Sequence, residues 1–467
     1  MTRLFSPPAP PVPDAALPFL HYLRAVRTNA LGIWPRAAYE EDFLSHDFMG
    51  RRLVMLHRPD AIQHVLVHNH ENYRRSAASL RILRPITGDG LLLSTGETWR
   101  WQRRTIAPAL APRSLPLLLR HVVSATEEAV TDLATRPGPI NLLAEMQTLA
   151  LEIAGRSMFS LETRAFGAEL RDRLAHYAEK LARPHMLDLL LPAGIPAPLD
   201  VPRYLFRRRW MGFIDRIIAT RLDVPAAPAA RDLFDLLCAA RDPETGRAFT
   251  RAELRDQVAT MILAGHETTA VALFWSFFLL ANDAETQARV AAEAANVEIT
   301  AATAATAIEQ LPITRAVLNE ALRLYPPAFT LVRQAIGPDR CDDIEIPAGG
   351  VVMIAPWVLH RHRKLWRDPG LFDPTRFLPG ASPIPRFAYL PFGAGPRVCV
   401  GAQFALAEAT LVLASLIRSF TVALRSGEHV MPVAVITTQP DHPPMFILSP
   451  RAEGPTAWSA AVARRAA

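Results

Sequence analysis

Apolar residues recur along this chain mainly with helical spacing, at i, i+3 and i+4, in segments rich in Ala, Leu and Arg. Pro and Gly punctuate these segments, as in Leu191-Pro-Ala-Gly-Ile-Pro-Ala-Pro198. Strand-like runs are short. Arg52–His57, Gly350–Ala355 and Val433–Thr438 are the best of them, β-branched or apolar and bounded by turn residues. The pattern predicts a mainly α protein with small β-sheets (α+β) towards the two ends of the chain. One helix stands out. Thr250-Arg-Ala-Glu253 has the capping-box form that satisfies exposed N–H groups at a helix start. The helical pattern then runs to about Asn282, roughly 50 Å at ~1.5 Å per residue. After Gln257 it is apolar on nearly every face, which predicts burial.

Ala264-Gly-His-Glu-Thr-Thr269 interrupts that apolar helix at its middle. Gly costs about 1 kcal/mol relative to Ala in a helix interior. Consecutive Thr residues add β-branched crowding, and an unpaired carboxylate in an apolar setting is expensive. Three penalties at one place point to a functional gain. Ala264 and Gly265 would let a flat ligand approach the backbone, and Glu267 and Thr268 would supply a proton source and a hydroxyl. The alternative is a kinked core helix whose polar groups satisfy one another.

The 467 residues are 50% hydrophobic, ample for a large core. The 41 prolines are scattered rather than gathered into a linker, and no internal repeat is present. The expected organisation is a Pro-rich, flexible segment over 1–18, a single domain over 19–453, and a frayed Ala/Arg-rich tail over 454–467. No run reaches the about 20 apolar residues of a membrane span; the nearest is Ala270–Ala281. The N-terminus has no apolar core of a secretory signal, and three cysteines do not make a disulfide framework. The expected setting is reducing and cytoplasmic, with no transmembrane anchor. No paired Cys/His spacing or aromatic-interleaved basic run suggests nucleic acid. The net charge of +6 is ordinary for so large a surface. Arg100, Arg103, Arg104, Arg361, Arg363, Lys364 and Arg367 read either as a dock for an acidic partner or as a solvated face. Residues 183–202, apolar and broken by prolines, read equally as a mobile cover over a pocket or a surface connection.

The strongest chemical signal is Pro391-Phe-Gly-Ala-Gly-Pro-Arg-Val-Cys-Val-Gly401, followed by a helical run from Ala402 to Phe420. Three glycines around one cysteine open backbone conformations closed to other residues. Cys399 sits just before a helix, where free N–H groups and the macrodipole favour an anion and lower a thiol pKa. Such a thiolate is what a haem iron needs on its proximal side to cleave O–O bonds. Cys238, in the helical pattern Asp232–Arg241, reads as a small core residue. Cys341 reads as part of a polar loop whose acids oppose a thiolate. A Cys–His nucleophile at Cys399 lacks any flanking signature. Asn319-Glu-Ala-Leu-Arg-Leu-Tyr-Pro-Pro327 ends a helix at a double proline, with Glu320 and Arg323 on one helical face. Alone, that pair is no more than a surface ion pair worth 0–1 kcal/mol.

Taken together these motifs resemble the cytochrome P450 family. Phe392-Gly-Ala-Gly-Pro-Arg-Val-Cys-Val-Gly401 is similar to its haem-binding signature, Ala264–Thr269 to its oxygen-activating helix, and Glu320-Ala-Leu-Arg323 to its Glu-x-x-Arg helix. Phe372-Asp-Pro-Thr-Arg-Phe377 resembles the segment that adds a second arginine, here Arg376, although Thr375 before it departs from the pattern. Trp99-Arg-Trp-Gln-Arg103 resembles the helix that reaches a haem propionate. The motifs span residues 99 to 401 in the family's order.

The resemblance implies a P450 fold with haem b between the long helix and the cysteine-loop helix. It implies that Cys399 ligates the iron and that Phe392 and Gly393 pack beside the porphyrin, with Gly401, Ala264 and Gly265 also against the cofactor. Arg397, Arg103, Trp99 and Arg333 would meet the propionates, where an arginine fork suits a carboxylate. Glu320, Arg323 and Arg376 would hold the proximal loop as a structural network. Thr268 and Glu267 would handle O2 and its protons as the catalytic pair. The implied reaction is insertion of one oxygen atom from O2 into a lipophilic small molecule, with electrons from a separate ferredoxin or flavoprotein. Substrate contacts are expected from Tyr73–Ser94, Arg183–Arg209, Leu263–Thr268, Ala328–Val332 and Thr437–Gln439. A haem-thiolate peroxygenase or isomerase, and a haem-binding gas sensor or carrier, are the competing readings. The Glu267–Thr268 pair argues against the first two, and no signalling module supports the third.

Overall fold

Thr250 starts the long helix in the way its sequence predicts. In the computed structural model, Thr250 Oγ1 accepts the Glu253 N–H at 3.3 Å and the Glu253 carboxylate accepts the Thr250 N–H at 2.9 Å. The helix runs over Arg251–Ala281, 31 residues. The structure describes residues 5–48, 50–160, 166–191, 195–223 and 229–451. The C-terminal tail and Met1–Leu4 lie outside them.

Two apolar cores form on this helix. Its N-terminal half, with Val258, Ala259 and Ile262, packs with Trp210, Phe213 and Ile214 of the helix Asp200–Leu222. Its C-terminal half, Ala270–Leu280, packs with the helices Pro312–Leu324, Ala402–Ser419 and Leu142–Phe159. A third core underlies a five-stranded sheet ordered Phe43–Phe48, Arg51–Leu56, Val351–Ile354, Leu331–Ala335, Tyr73–Arg74. Within that sheet Arg51–Leu56 and Val351–Ile354 run parallel, and the other neighbours run antiparallel. A three-stranded sheet and two short hairpins complete the β structure. The α+β expectation stands, with the five-stranded and three-stranded sheets tying distant parts of the chain.

Four local expectations need correction. Val433–Thr438 is not one strand: Pro432–Ala434 and Thr438–Pro440 pair as a hairpin around residues 435–437. β-propensity is high throughout, so only the tertiary contacts described below reveal the turn. Cys341 ends the strand Asp339–Cys341 rather than lying in a loop. Cys238 is exposed near the end of the helix Leu233–Ala239, a helix too short to fix which face is buried. The Pro-rich start is not loose. Phe372 N–H donates to Phe5 O at 3.0 Å, Tyr325 Oη donates to Pro8 O at 2.9 Å, and the Phe5 and Phe372 rings meet at 5.6 Å. The helices Arg251–Ala281 and Ala402–Ser419 are long and apolar enough to cross a membrane, but most of each apolar stretch is buried in protein.

The Glu320–Arg323 pair is no surface ion pair. Both side chains are fully buried. Arg323 places all five of its N–H groups: two on the Glu320 carboxylate at 2.7 Å each, and one each on His360 O, Pro369 O and Leu371 O at 2.8, 2.7 and 2.9 Å. Glu320 also accepts the Asp373 N–H at 2.9 Å. Arg376 stands 3.7 Å from the carboxylate, an ion contact longer than a hydrogen bond, and donates to Asp368 O. From this network, His360 Nε2 accepts the Leu390 N–H at 2.8 Å, at the threshold of the cysteine loop.

Arg323→Met takes two donors from a buried carboxylate, leaving it the Asp373 N–H, and takes the Arg323 donors from three carbonyls. It should destabilise the protein by about 3–5 kcal/mol in chemical denaturation, and a loss under 1 kcal/mol would contradict the role given to the pair. Burial pushes the His360 imidazole down to about 3, with Arg323 adding to the shift. Since its folded pKa lies below the ordinary value, the unfolded chain takes up this proton first, and stability falls as pH drops from about 6.5 towards 3. Each such histidine contributes a slope of about 1.4 kcal/mol per pH unit. His360→Gln, which keeps an acceptor for Leu390, should flatten the acid limb of stability against pH by that amount. His57 and His266, each pushed down to about 4 by burial, keep their share.

Candidate active site

Between the two cores the long helix is uncovered. Ala264 and Gly265 are exposed and Glu267 and Thr268 are half-buried, while both flanks are buried. Thr268 Oγ1 donates to Ala264 O at 2.5 Å, the local bond a helical threonine makes when no other partner claims it. His266 turns to the other side, where Nε2 meets Gln147 O at 3.0 Å. The Glu267 carboxylate accepts bonds from Gln439 Nε2 and from Thr437 Oγ1, the latter at 3.3 Å. Desolvation raises its pKa, and the bonds from Thr437, Gln439 and Gln147 oppose the rise.

The other wall is the loop 391–401, in which no residue is buried. Its shape comes from its own backbone. Cys399 N–H donates to Phe392 O and Val398 N–H to Gly395 O, both at 3.0 Å. Gly395 has φ +71°, and a Cβ there would stand 2.0 Å from Leu66 O, so only glycine fits. At Gly265 and Gly401 a Cβ would meet no protein atom within 4 Å. Protein packing does not require glycine at either place, so these positions suit a cradle for a flat group. The helix Ala402–Ser419 follows directly, with Ala405 N–H donating to Gly401 O at 2.8 Å.

Cys399 does not have the lowered thiol pKa expected at a helix start. Desolvation raises it, and the Gly401 N–H and the Arg103 charge only partly oppose that rise. Cys238 and Cys341 are also raised, so titration does not distinguish the three. Place in the fold does: of the three, Cys399 alone sits in a glycine-built loop directly ahead of the helix Ala402–Ser419, which packs in one core with the long helix. Arg103 lies beneath this loop and donates to Val398 O at 2.7 Å. Arg397 donates to Ser94 O at 3.1 Å and lies 4.4 Å over the Trp99 ring.

Three arginines form a cluster with no acid among them. Burial pushes Arg75 down to about 9, with Arg333 and Arg397 adding repulsion. Burial and Arg397 push Arg333 down to about 10. Arg75 Nε is buried without a hydrogen-bond partner. Cations held this close at a cost in desolvation form a site for an anionic group. Two propionates on one flat ring match that donor set, and a single thiol beside glycine cradles matches the rest. The residues therefore fit a haem. Sequence reasoning found Arg333 and Arg397 but missed Arg75, because Tyr73-Arg-Arg75 carries no motif and only the pairing of Tyr73–Arg74 with Leu331–Ala335 brings it near.

The basic residues read as a dock are mostly neutralised within the chain. Arg100 pairs with Glu71 and Glu97, Arg104 with Asp242 and Glu244, Arg363 with Glu40, Lys364 with Asp42 and Arg367 with Asp368. Arg361 is stacked 3.6 Å over Trp357. The described part of 183–202 is anchored. Arg203 and Asp188 make a fully buried pair at 2.6 Å, and Arg81 donates to Leu187 O and Leu191 O at 3.3 and 3.1 Å. A surface cavity of about 420 Å³ lies between the helix Phe19–Thr28 and residues 183–186; it takes in the start of the Arg183–Arg209 segment expected to touch substrate but none of the candidate cofactor or catalytic residues.

A family model described as Cytochrome P450 matches residues 10–443. Cyclooctatin synthase of Streptomyces melanosporofaciens is 34% identical over 377 residues, 79% of this chain and 80% of that protein. Cyclooctat-9-en-7-ol 5-monooxygenase of the same organism is 32% identical over 336 residues, covering 71% and 72%. Cytokinin hydroxylase of Arabidopsis thaliana is 31% identical over 381 residues, covering 78% and 72%. The crystal structure of a cytochrome P450DA haem domain superposes with a TM-score of 0.78 at 23% identity, covering 95% of this chain and 99% of that one.

Arg75→Met should weaken retention of a dicarboxylate cofactor about tenfold, the worth of one charge-assisted hydrogen bond. The same change should not lower the unfolding midpoint of the cofactor-free chain, because it removes a mutually repelling cation. Transfer of haem to an acceptor protein and thermal unfolding of the apoprotein measure the two effects.

Proposed function

The chain belongs to the cytochrome P450 family, and from that premise we propose that it inserts one oxygen atom of O2 into a lipophilic small molecule, with Cys399 as the axial ligand. It is a haem-thiolate enzyme of the monooxygenase type, with haem b as cofactor. The observation that carries the finer reading is the juxtaposition of chemistries on one long helix and one loop. Glu267 and Thr268 stand where the helix is uncovered, and Cys399 stands in the glycine loop ahead of the helix that packs on it.

On this reading, Arg75, Arg333 and Arg397 hold the propionates, with Trp99 stacked on Arg397 to fix its plane. Arg103 secures the Val398 carbonyl, and so the loop, through one N–H, which leaves its other N–H groups for a propionate. When bound, haem supplies the oxidation of an unactivated C–H or C=C bond by O2, the second oxygen atom leaving as water. The chain's part is position and protons. Thr268 Oγ1 can turn from Ala264 O to offer its proton into the cleft, and Glu267 re-supplies it. The apolar walls from Leu263, Ala328–Val332 and the described part of Arg183–Arg209 favour hydrocarbon-rich substrates. The relatives' names, with a cyclic alkenol among their substrates, lie in the same direction. Electrons come from a separate ferredoxin or flavoprotein. Because Arg100, Arg104, Arg363, Lys364 and Arg367 are already paired, that partner recognises shape and the remaining charges rather than a free basic field at those residues.

Two measurements test this. The reduced, CO-bound protein should show the absorption band of an axial thiolate and lose it in Cys399→His; retention of the band would end the assignment. Thr268→Ala should release several-fold more peroxide per NAD(P)H with surrogate redox partners, at nearly unchanged substrate binding. A coupling ratio equal to wild type would remove Thr268 from the proton path.

A further inference from the structure

The Glu267 carboxyl has an unusual cage. It is half-buried with no cation on it: its perturbations are desolvation and the neutral side chains of Thr437, Gln439 and Gln147. The adjacent titratable group, His266, is held on Gln147 O of the helix Leu142–Phe159, and neither that helix nor the 432–440 hairpin contributes a charge to Glu267. Two of the three donors come from the hairpin. Gln439 Nε2 reaches the carboxylate and also Thr437 Oγ1, the latter at 3.2 Å. The three groups thus close a triangle.

The hairpin is built to hold that triangle. Thr438, between the two donors, is pinned on three sides. Its Oγ1 donates to Pro326 O at 2.7 Å, its N–H to Pro327 O at 3.3 Å, and its carbonyl accepts from Trp275 Nε1 at 2.7 Å. The first strand is fastened by Asn29, whose Nδ2 donates to Pro432 O at 2.9 Å and whose Oδ1 accepts the Ala434 N–H at 3.1 Å. Thr438 is thus fixed between its two neighbours, and both Thr437, at the end of the turn, and Gln439, in the strand, donate to Glu267. These are also residues of the segment expected to touch substrate.

We propose that Gln439, with Thr437 in support, is the positioning residue for the Glu267 carboxyl, so that the hairpin facing the substrate also governs proton delivery. The proposal rests on the reading of Glu267 as proton relay. Its physical basis is the choice of donors. An amide and a hydroxyl stabilise the charged carboxyl, yet each can be exchanged for another neutral partner far more cheaply than an ion pair can be broken. A substrate that engages Gln439 or Thr437 therefore loosens the carboxyl and lets it turn to Thr268, whereas a compound that leaves the hairpin untouched leaves the carboxyl tethered.

The test uses the holoenzyme as wild type, Gln439→Leu, Glu267→Gln and the double variant. The infrared carboxylic C=O band that disappears in Glu267→Gln reports the proton on Glu267. In Gln439→Leu this band should persist to a pH higher by about one unit, since a bond to the charged form is lost. Thr437→Val, a milder change should Gln439→Leu fold poorly, should move it less in the same direction. Peroxide released per NAD(P)H should change several-fold in Gln439→Leu, with no further change when Gln439→Leu is added to Glu267→Gln. An unmoved band, or effects that add in the double variant, would overturn the positioning role. A moved band with wild-type coupling and pH profile in Glu267→Gln would keep the geometry but sink the relay reading, and with it the tie to proton delivery.

Discussion

The structure depends on one buried guanidinium. Arg323 brings its positive charge to a place with no solvent, where an incomplete set of acceptors would cost several kcal/mol. All five of its donors are placed, on a carboxylate three residues back along the helix and on carbonyls at 360, 369 and 371. Those carbonyls belong to a stretch with little regular secondary structure of its own. Without Arg323 nothing else among the described hydrogen bonds would collect three of its carbonyls at one point. His360 then carries the constraint forward, accepting the Leu390 N–H just before the cysteine loop. The loop is therefore held by a chain of bonds that begins at Arg323, in a helix well before it in the sequence.

The long helix supplies the opposite wall, and its sequence shows why it is uncovered there. Its stretches Val258–Leu263 and Ala270–Leu280 are largely apolar, and each enters a separate core. The residues between, 264–268, carry Gly, Glu and Thr, which neither core can bury without cost. The charges sort themselves across the site. Three arginines gather near the Trp99 side without an acid, while the Glu267 carboxyl is met only by neutral donors. An anionic edge of a ligand belongs at the first place and a neutral, exchangeable proton at the second.

Much of this was legible in the sequence, for a physical reason. Capping at Thr250, the apolar periodicity to Ala281 and the glycine-rich loop before Ala402 are local properties, and each is where the spacing placed it. What failed was what depends on partners distant in sequence. Val433–Thr438 has strand propensity throughout, and only bonds to Asn29, Pro326, Pro327 and Trp275 make it a hairpin. Arg75 has no motif, and a short strand pairing brings it to Arg333. The Pro-rich start looks like a free arm until Phe5 and Pro8 find Phe372 and Tyr325. The basic residues looked like an open field because their acids, such as Glu40 for Arg363 and Asp242 for Arg104, lie far off in the chain.

The two walls differ in how firmly they are held, and that difference suits what each is proposed to do. Breaking the buried pair behind the cysteine loop costs about 3–5 kcal/mol. Exchanging one neutral hydrogen bond on Glu267 costs about 1 kcal/mol. A metal ligand has to keep its position through every turnover, because its distance sets the electronics of the metal. A proton donor has to leave its resting partner once per turnover and come back. A fold that placed an ion pair on Glu267 would hold it as firmly as it holds Glu320, and it would then be too costly to move. The neutral cage at 437 and 439 and the charged clamp at 320 and 323 are thus two answers, within one chain, to whether a carboxylate should stay or go.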